Sequence, residues 1–212
     1  MKAHTAETQS TVTPARALDF LKEGNQRFIR NLRANRDLLS QVNDTKNGQF
    51  PFAVILSCID SRTSAELIFD QGLGDIFSAR VAGNIINEDI LGSMEYSCKV
   101  AGSKLIVVLG HSKCGAVTSA CKGVQMGNIT ALLSKMQDSV DEVSREKPGT
   151  DTGSPEFVEA VAHHNVIHTM DEILKRSAVL KEMFEAGEIG IAGGYYDVES
   201  GEVEFVKEIL HD

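Results

Sequence analysis

The sequence predicts an α/β fold: a central, mainly parallel sheet with an antiparallel edge strand, flanked by helices and preceded by an N-terminal helical arm. Three observations carry this expectation. Short apolar runs, PFAVILS (51–57), DIFSARVA (75–82) and KLIVVLGH (104–111), have the length and branched composition of strands buried on both faces, as in sheets covered by helices. The intervening segments 63–71 and 88–101 have helical length and spacing, so strand and helix alternate. The tail EIGIAGGYYDVESGEVEFV (188–206) sets two short strands around a Ser200-Gly201 turn, which reads as an edge hairpin.

Taken in order, residues 1–13 are polar and rich in Thr, and are expected to be frayed. From Pro14 to about Asn35, apolar residues at Ala17, Leu18, Leu21 and Phe28 alternate with charges at helical spacing. This helix begins an arm that extends through residue 48. GAVTSACKG (115–123) and NITALLSKMQDSVDEV (128–143) read as further helices, and REKPGTDTGSP (145–155) as a polar loop. EFVEAVAHHNVIHTMDEILKRS (156–177) follows a Ser154-Pro155 start signal and reads as a long helix. Repeats and low-complexity segments are absent, and residues 1–212 are expected to form one domain.

Composition narrows the function. A chain of 212 residues, 42% apolar and 24% charged, can bury a core of its own. With 21 Lys plus Arg against 30 Asp plus Glu, the net charge of −9 argues against nucleic acid or an anionic membrane as partner, so the substrate is expected to be small. No run approaches the roughly 18 apolar residues of a membrane span, and MKAHTAETQSTVTP lacks the apolar stretch of a signal peptide. Four cysteines are too few for a disulfide framework in a chain of this size, and a cytoplasmic location is expected.

Two of those cysteines stand where α/β proteins keep their chemistry. Cys58 ends the first strand, and His111 and Cys114 end the third, beyond the carboxyl ends where open sheets bind ligands. Two thiolates and one imidazole, with a fourth position left variable, match a catalytic tetrahedral zinc site. The same spacing also fits cysteines used as small apolar core fillers.

CIDSR (58–62) and GHSKCG (110–115) resemble the two signature motifs of β-class carbonic anhydrases, and RVAGN (80–84) between them is similar to that family too. The likeness runs from Gln49 to Gly115, with the order of elements compatible out to YYDV (195–198). It implies one Zn2+ per chain on Cys58, His111 and Cys114, and reversible hydration of carbon dioxide to bicarbonate by zinc-bound hydroxide. It also implies that Asp60 accepts a hydrogen bond from the zinc-bound water while Arg62 fixes that carboxylate, and that Asp60 takes the fourth zinc position when the pair breaks. Gln49 matches a substrate-binding glutamine that acts across a dimer interface. Phe77, Tyr96 and Gly115 match pocket positions. A homodimer or higher even homo-oligomer is therefore expected. Arg80 and Tyr196 match two of the three residues that hold an inhibitory bicarbonate in some members, but Ile55 stands where the third, a Trp, would be, which resembles the ungated branch.

Weaker signals point elsewhere. His164 and His168 share a helix face at metal-compatible spacing, but Asn165 stands where a zincin would have Glu, so an exposed or partly satisfied helix face is the expectation. Cys98 and Cys121 have no His or Cys beside them and are expected to be core or idle thiols. GHSKCG has Cys114 where a nucleophile elbow needs Gly, which argues against a serine hydrolase. Hydrolysis of carbonyl sulfide or carbon disulfide, and a closed structural or thiol-sensing zinc site, are rival uses of the same residues.

Overall fold

The apolar runs become strands at the centre of a five-stranded sheet. In the computed structural model, which describes residues 2–211, these are β1 (Ala53–Ser57), β2 (Ile76–Arg80), β3 (Leu105–His111), β4 (Gly190–Tyr196) and β5 (Val203–Ile209), in the order β2-β1-β3-β4-β5. The first four are parallel, and β5 runs antiparallel to β4 at the edge, as the tail hairpin predicted. Every residue of β1, β3 and β4 is buried, because helices cover both faces.

Alternation along the strands divides the core in two. Val54, Leu56, Ile106 and Val108 face one cluster; Ala53, Ile55, Leu105 and Val107 face the other. On the first face lie α5 (Glu88–Glu95), α8 (Gln137–Glu146), α9 (Pro155–Arg176) and α10 (Ala178–Glu185). On the second lie α2 (Pro14–Ile29) and α4 (Ala65–Ile68). Full burial of a side chain such as Leu56 contributes about 1.5–3 kcal/mol, so Leu56→Ala would cost about 2–5 kcal/mol. The long helix α9 approaches β3 and β4 closely enough that a Cβ at Gly110 would lie 2.5 Å from Val166, and one at Gly193 2.7 Å from Met170. The GIAGG run thus makes room for a helix.

Several boundaries differ from expectation, each for a local reason. The segment expected to be frayed forms α1 (Ala6–Ser10), capped by Thr5, and Gln9 is buried with its amide donating to the Pro51 and Ala101 carbonyls at 2.7 and 2.8 Å. The arm helix α2 stops at Ile29 rather than near Asn35, since Asn31 takes φ 54°, and a second arm helix, α3 (Leu38–Thr45), follows. The expected 63–71 helix is only α4, ended where Asp70 takes φ 44°. The segment 88–101 is α5 followed by a π turn, Tyr96–Val100. A 3-10 turn at Ser134–Met136 divides the expected 128–143 helix into α7 (Gly127–Leu133) and α8. Ser177 ends α9 and caps α10, a helix the hydrophobic spacing had not distinguished. Among the described residues, no helix is long and apolar enough to cross a membrane.

Candidate metal centre

Adjacent parallel strands carry the two motifs to one place. Cys58 follows β1 directly, His111 closes β3, and Cys114 caps α6 (Gly115–Cys121), with β1 and β3 paired in register from Ala53 with Leu105. The Cys58, His111 and Cys114 ligand atoms all lie within 4.8 Å of one another, and all three residues are buried. This is the grouping the sequence predicted, and among the described residues it is the one cluster of three or more such side chains close enough to share an ion.

Hydrogen bonds prepare each ligand. His111 Nδ1 lies 2.9 Å from the Ser112 carbonyl, which fixes the proton there and leaves Nε2 as the electron-pair donor. That Nε2 is buried with no hydrogen-bond partner, an arrangement that costs free energy unless something else binds it. A hydrogen bond from the Cys114 thiol, aided by the Gly83 and Asp60 amides, lowers the Cys58 thiol to about 4 despite its burial. The same pairing, then burial, pushes the Cys114 thiol up. The two thiols are therefore paired with each other, and a dication held between them would favour both as thiolates. Two soft sulfurs and one imidazole suit zinc, so the residues fit the metal that the motifs implied. By contrast burial pushes Cys98 up to about 12 and Cys121 up to about 11, the behaviour of inert core thiols.

Asp60 and Arg62 stand at the rim as a two-pronged pair. Arg62 donates from Nε to Asp60 Oδ1 at 2.9 Å and from Nη2 to Oδ2 at 2.8 Å, and its backbone N–H also donates to Oδ1 at 2.9 Å. These bonds hold Asp60 well below the usual carboxylate range and raise the guanidinium in turn. Arg62 also reaches the Lys113 carbonyl at 3.5 Å, joining the two motif loops.

The turn beneath them rests on residues that spacing did not single out. The Thr63 hydroxyl donates to the Cys58 and Asp60 carbonyls at 3.0 and 2.9 Å. Arg80, read as a possible anion ligand, donates to the same carbonyls at 3.0 and 2.6 Å and so braces the loop. Of its two companions, Ile55 is fully buried and Tyr196, paired in register with His111, is 6% exposed. The signal for the brace was RVAGN itself.

Of the remaining predicted residues, Gly115 adjoins Cys114, while Phe77 and Tyr96 lie at a separate cavity. Phe77 and Tyr96 do meet, edge to face with centroids 6.4 Å apart, and line a cavity of about 700 Å³ with Val54 and Ile90. No cluster ligand lines that cavity. Gly115 begins α6 with open space where a Cβ would be. Gln49 lies exposed between α3 and β1. The His164 and His168 rings stack at 6.1 Å, with His168 Nε2 3.8 Å from Asp138.

A doubly wound sheet whose strand ends present a buried thiol-imidazole-thiol set, overlooked by an arginine-clamped carboxylate, is compatible with the metal centre of an enzyme. The carbonic anhydrase family model matches residues 53–203, spanning both motifs. Carbonic anhydrase 2 of Mycobacterium tuberculosis is 37% identical over 195 residues, covering 89% of this chain and 90% of its own, and the carbonic anhydrase of Mycolicibacterium smegmatis is 36% identical over 194 residues, covering 90% and 92%. The solved structure of the β-carbonic anhydrase CcaA superposes with TM-score 0.72 at 25% identity, covering 92% of each chain. This chain belongs to the β-carbonic anhydrase family, whose members are lyases, and the motifs that suggested the family fall at its centre.

Proposed function

We propose that this chain catalyses the reversible hydration of carbon dioxide to bicarbonate and a proton, with one zinc ion held by Cys58, His111 and Cys114. The observation that carries this reading is the conjunction of a buried, unpartnered His111 Nε2 between two thiols with a carboxylate that Arg62 keeps in place beside them. When bound, zinc supplies Lewis acidity that brings the pKa of water to about 7, so a nucleophile exists at neutral pH.

The chain's own residues do the rest. Asp60, kept ionised by Arg62, accepts a hydrogen bond from an O–H group bound at the open side of the cluster and so selects the orientation of what binds there. Arg62 keeps that carboxylate from the fourth position that Cys58, His111 and Cys114 would leave open on a bound metal. The missing side chain at Gly115 leaves room for a small linear substrate beside Cys114. Phe77 and Tyr96 supply an apolar wall that favours carbon dioxide over water, and Gln49 a hydrogen bond to the hydrated product. Because Phe77 and Tyr96 line a cavity that no cluster ligand lines, they and Gln49 serve a site completed by a second copy. Exposed apolar residues on the arm support self-association as a homodimer or higher even oligomer: Leu38 is 55% exposed, Leu39 81% and Val42 51%. Four free cysteines suit a reducing, cytoplasmic setting.

The test is metal analysis with stopped-flow hydration. About one zinc per chain, activity lost on chelation, and loss of both in Cys114→Ala are expected. Active protein free of zinc, or undiminished zinc in Cys114→Ala, would remove the site assignment.

A further inference from the structure

Asn165 is a polar residue on the apolar face of α9. Its neighbours on that face, Val161, Ala162, Val166 and Met170, are buried hydrophobics, and Asn165 itself is only 1% exposed. Burying a carboxamide costs free energy unless it is hydrogen-bonded. Its Nδ2 donates to the Gly83 carbonyl at 3.0 Å, 82 residues away in sequence.

Gly83 is no ordinary acceptor. Its own N–H donates to Cys58 Sγ at 3.4 Å. It takes φ 70°, a conformation that favours glycine, and a Cβ there would lie 2.7 Å from Met136 Sδ. Asn84, next along, also has positive φ, at 43°. The Gly83 amide and carbonyl lie in consecutive peptide planes hinged at its Cα, and glycine resists rotation at that hinge least of all residues. Pinning the carbonyl limits the swing of the amide.

We infer that Asn165 is a positioning residue for the metal centre: through the Gly83 carbonyl it aims the Gly83 N–H at Cys58 Sγ. This rests on Cys58 being a zinc ligand, as proposed above. An amide aimed at a ligating sulfur spreads that ligand's charge and fixes its direction, and partners of this kind typically matter by about 10–100-fold in metal affinity. Asn165 touches neither substrate nor metal.

The experiment measures Zn2+ affinity of the full chain by competition with a chromophoric chelator, and the sulfur-to-metal absorption of the Co2+-substituted protein. Asn165→Leu keeps the number and branching of side-chain heavy atoms but removes the donor. It is expected to bind Zn2+ about tenfold more weakly or worse and to shift the Co2+ band. Ile173→Ala, two turns along the same helix in the same core, is the control for destabilisation alone, and is expected to keep the wild-type affinity and band. If Asn165→Leu does not accumulate as folded protein, Asn165→Thr, too short to reach the carbonyl, reads the same quantities. Wild-type affinity in the Asn165 variant, or an equal loss in Ile173→Ala, would overturn the inference while leaving the zinc site standing. A wild-type chain that binds no Zn2+ would overturn the site and this inference together.

Discussion

Asp60 and Asp70 are both carboxylates gripped by arginine, one at the candidate metal centre and one beneath the N-terminal arm. Asp60 pairs with Arg62 two residues away, and that guanidinium is 47% exposed. Asp70 is 7% exposed and is held by Arg27 at 2.5 Å, by Arg36 at 2.6 Å and by the Ala34 amide at 3.0 Å, all from the arm. Arg36 is itself only 7% exposed. Burial alone would raise Asp70, yet these donors outweigh it and its carboxyl lies below the usual range. The difference is one of solvent: a pair in water contributes little stability and is free to exchange partners, whereas a pair out of water anchors because neither member tolerates being left alone.

Breaking the anchor should have the largest effect on the fold. Asp70→Ala leaves the Arg36 guanidinium buried without a counter-charge, and a loss of about 3–5 kcal/mol in urea unfolding is expected. Zinc content of the folded fraction should not change. An Asp70→Ala protein as stable as wild type would erase the contrast.

The exposed pair should show the reverse. Asp60→Ala is expected to change stability by less than about 1 kcal/mol while lowering hydration by about 10–100-fold with zinc retained. Because Asp60 and Arg62 act as one device, the double variant should be no slower than the slower single variant, as measured by initial hydration rates of all three. Additive losses would assign the residues separate roles.

Acid should separate the two regions as well. Both carboxyls are depressed in the folded state, so their stabilising contributions are present above the unfolded value near 3.9 and are lost only as pH falls through the lower folded values. Protons compete for the candidate metal ligands sooner, because thiols and an imidazole must be deprotonated to bind zinc and ordinarily hold their protons at higher pH than carboxyls do. Zinc release, followed by a chelating dye, should therefore come at higher pH than loss of tertiary structure by near-ultraviolet circular dichroism. A single shared midpoint would contradict this.

The smallest effect is expected at Gln49, where one hydrogen bond worth about 1 kcal/mol, roughly fivefold in rate, is at stake. Gln49→Ala should keep its zinc and its fold. Unchanged turnover would remove it from the site, and full activity in dilute monomers would remove the need for a second copy.

What the chain revealed before its fold was known follows the same division. Strands and the candidate metal ligands were legible because a doubly buried strand must be apolar throughout, so a Cys or His immediately after one stands out. The arm was legible only as a helix. Its attachment depends on Asp70, which sits at positive φ after a helix of four residues, and on arginines 43 and 34 residues away, pairings that no local period encodes. Gln9 escaped notice for the same reason, since its two acceptors lie 42 and 92 residues on. At the centre, Thr63 and Asn165 were illegible because each works through a backbone carbonyl, which every residue has. Arg80 was legible as a charge near the site but not as a brace, since spacing gives the neighbourhood of a guanidinium and not the direction of its fork.

The most direct measurement is stopped-flow carbon dioxide hydration by metal-analysed Arg62→Ala beside the wild type, across roughly pH 6.5–9, the range that spans ionisation of zinc-bound water. Without the guanidinium, an anionic carboxylate is drawn to a nearby dication more strongly than neutral water is. The expected result is about one zinc per chain in both proteins, robust hydration in the wild type, and loss of most activity in Arg62→Ala with the fold intact. Near-normal hydration by zinc-loaded Arg62→Ala across that range would contradict the role given to the pair and reduce Arg62 to a structural residue.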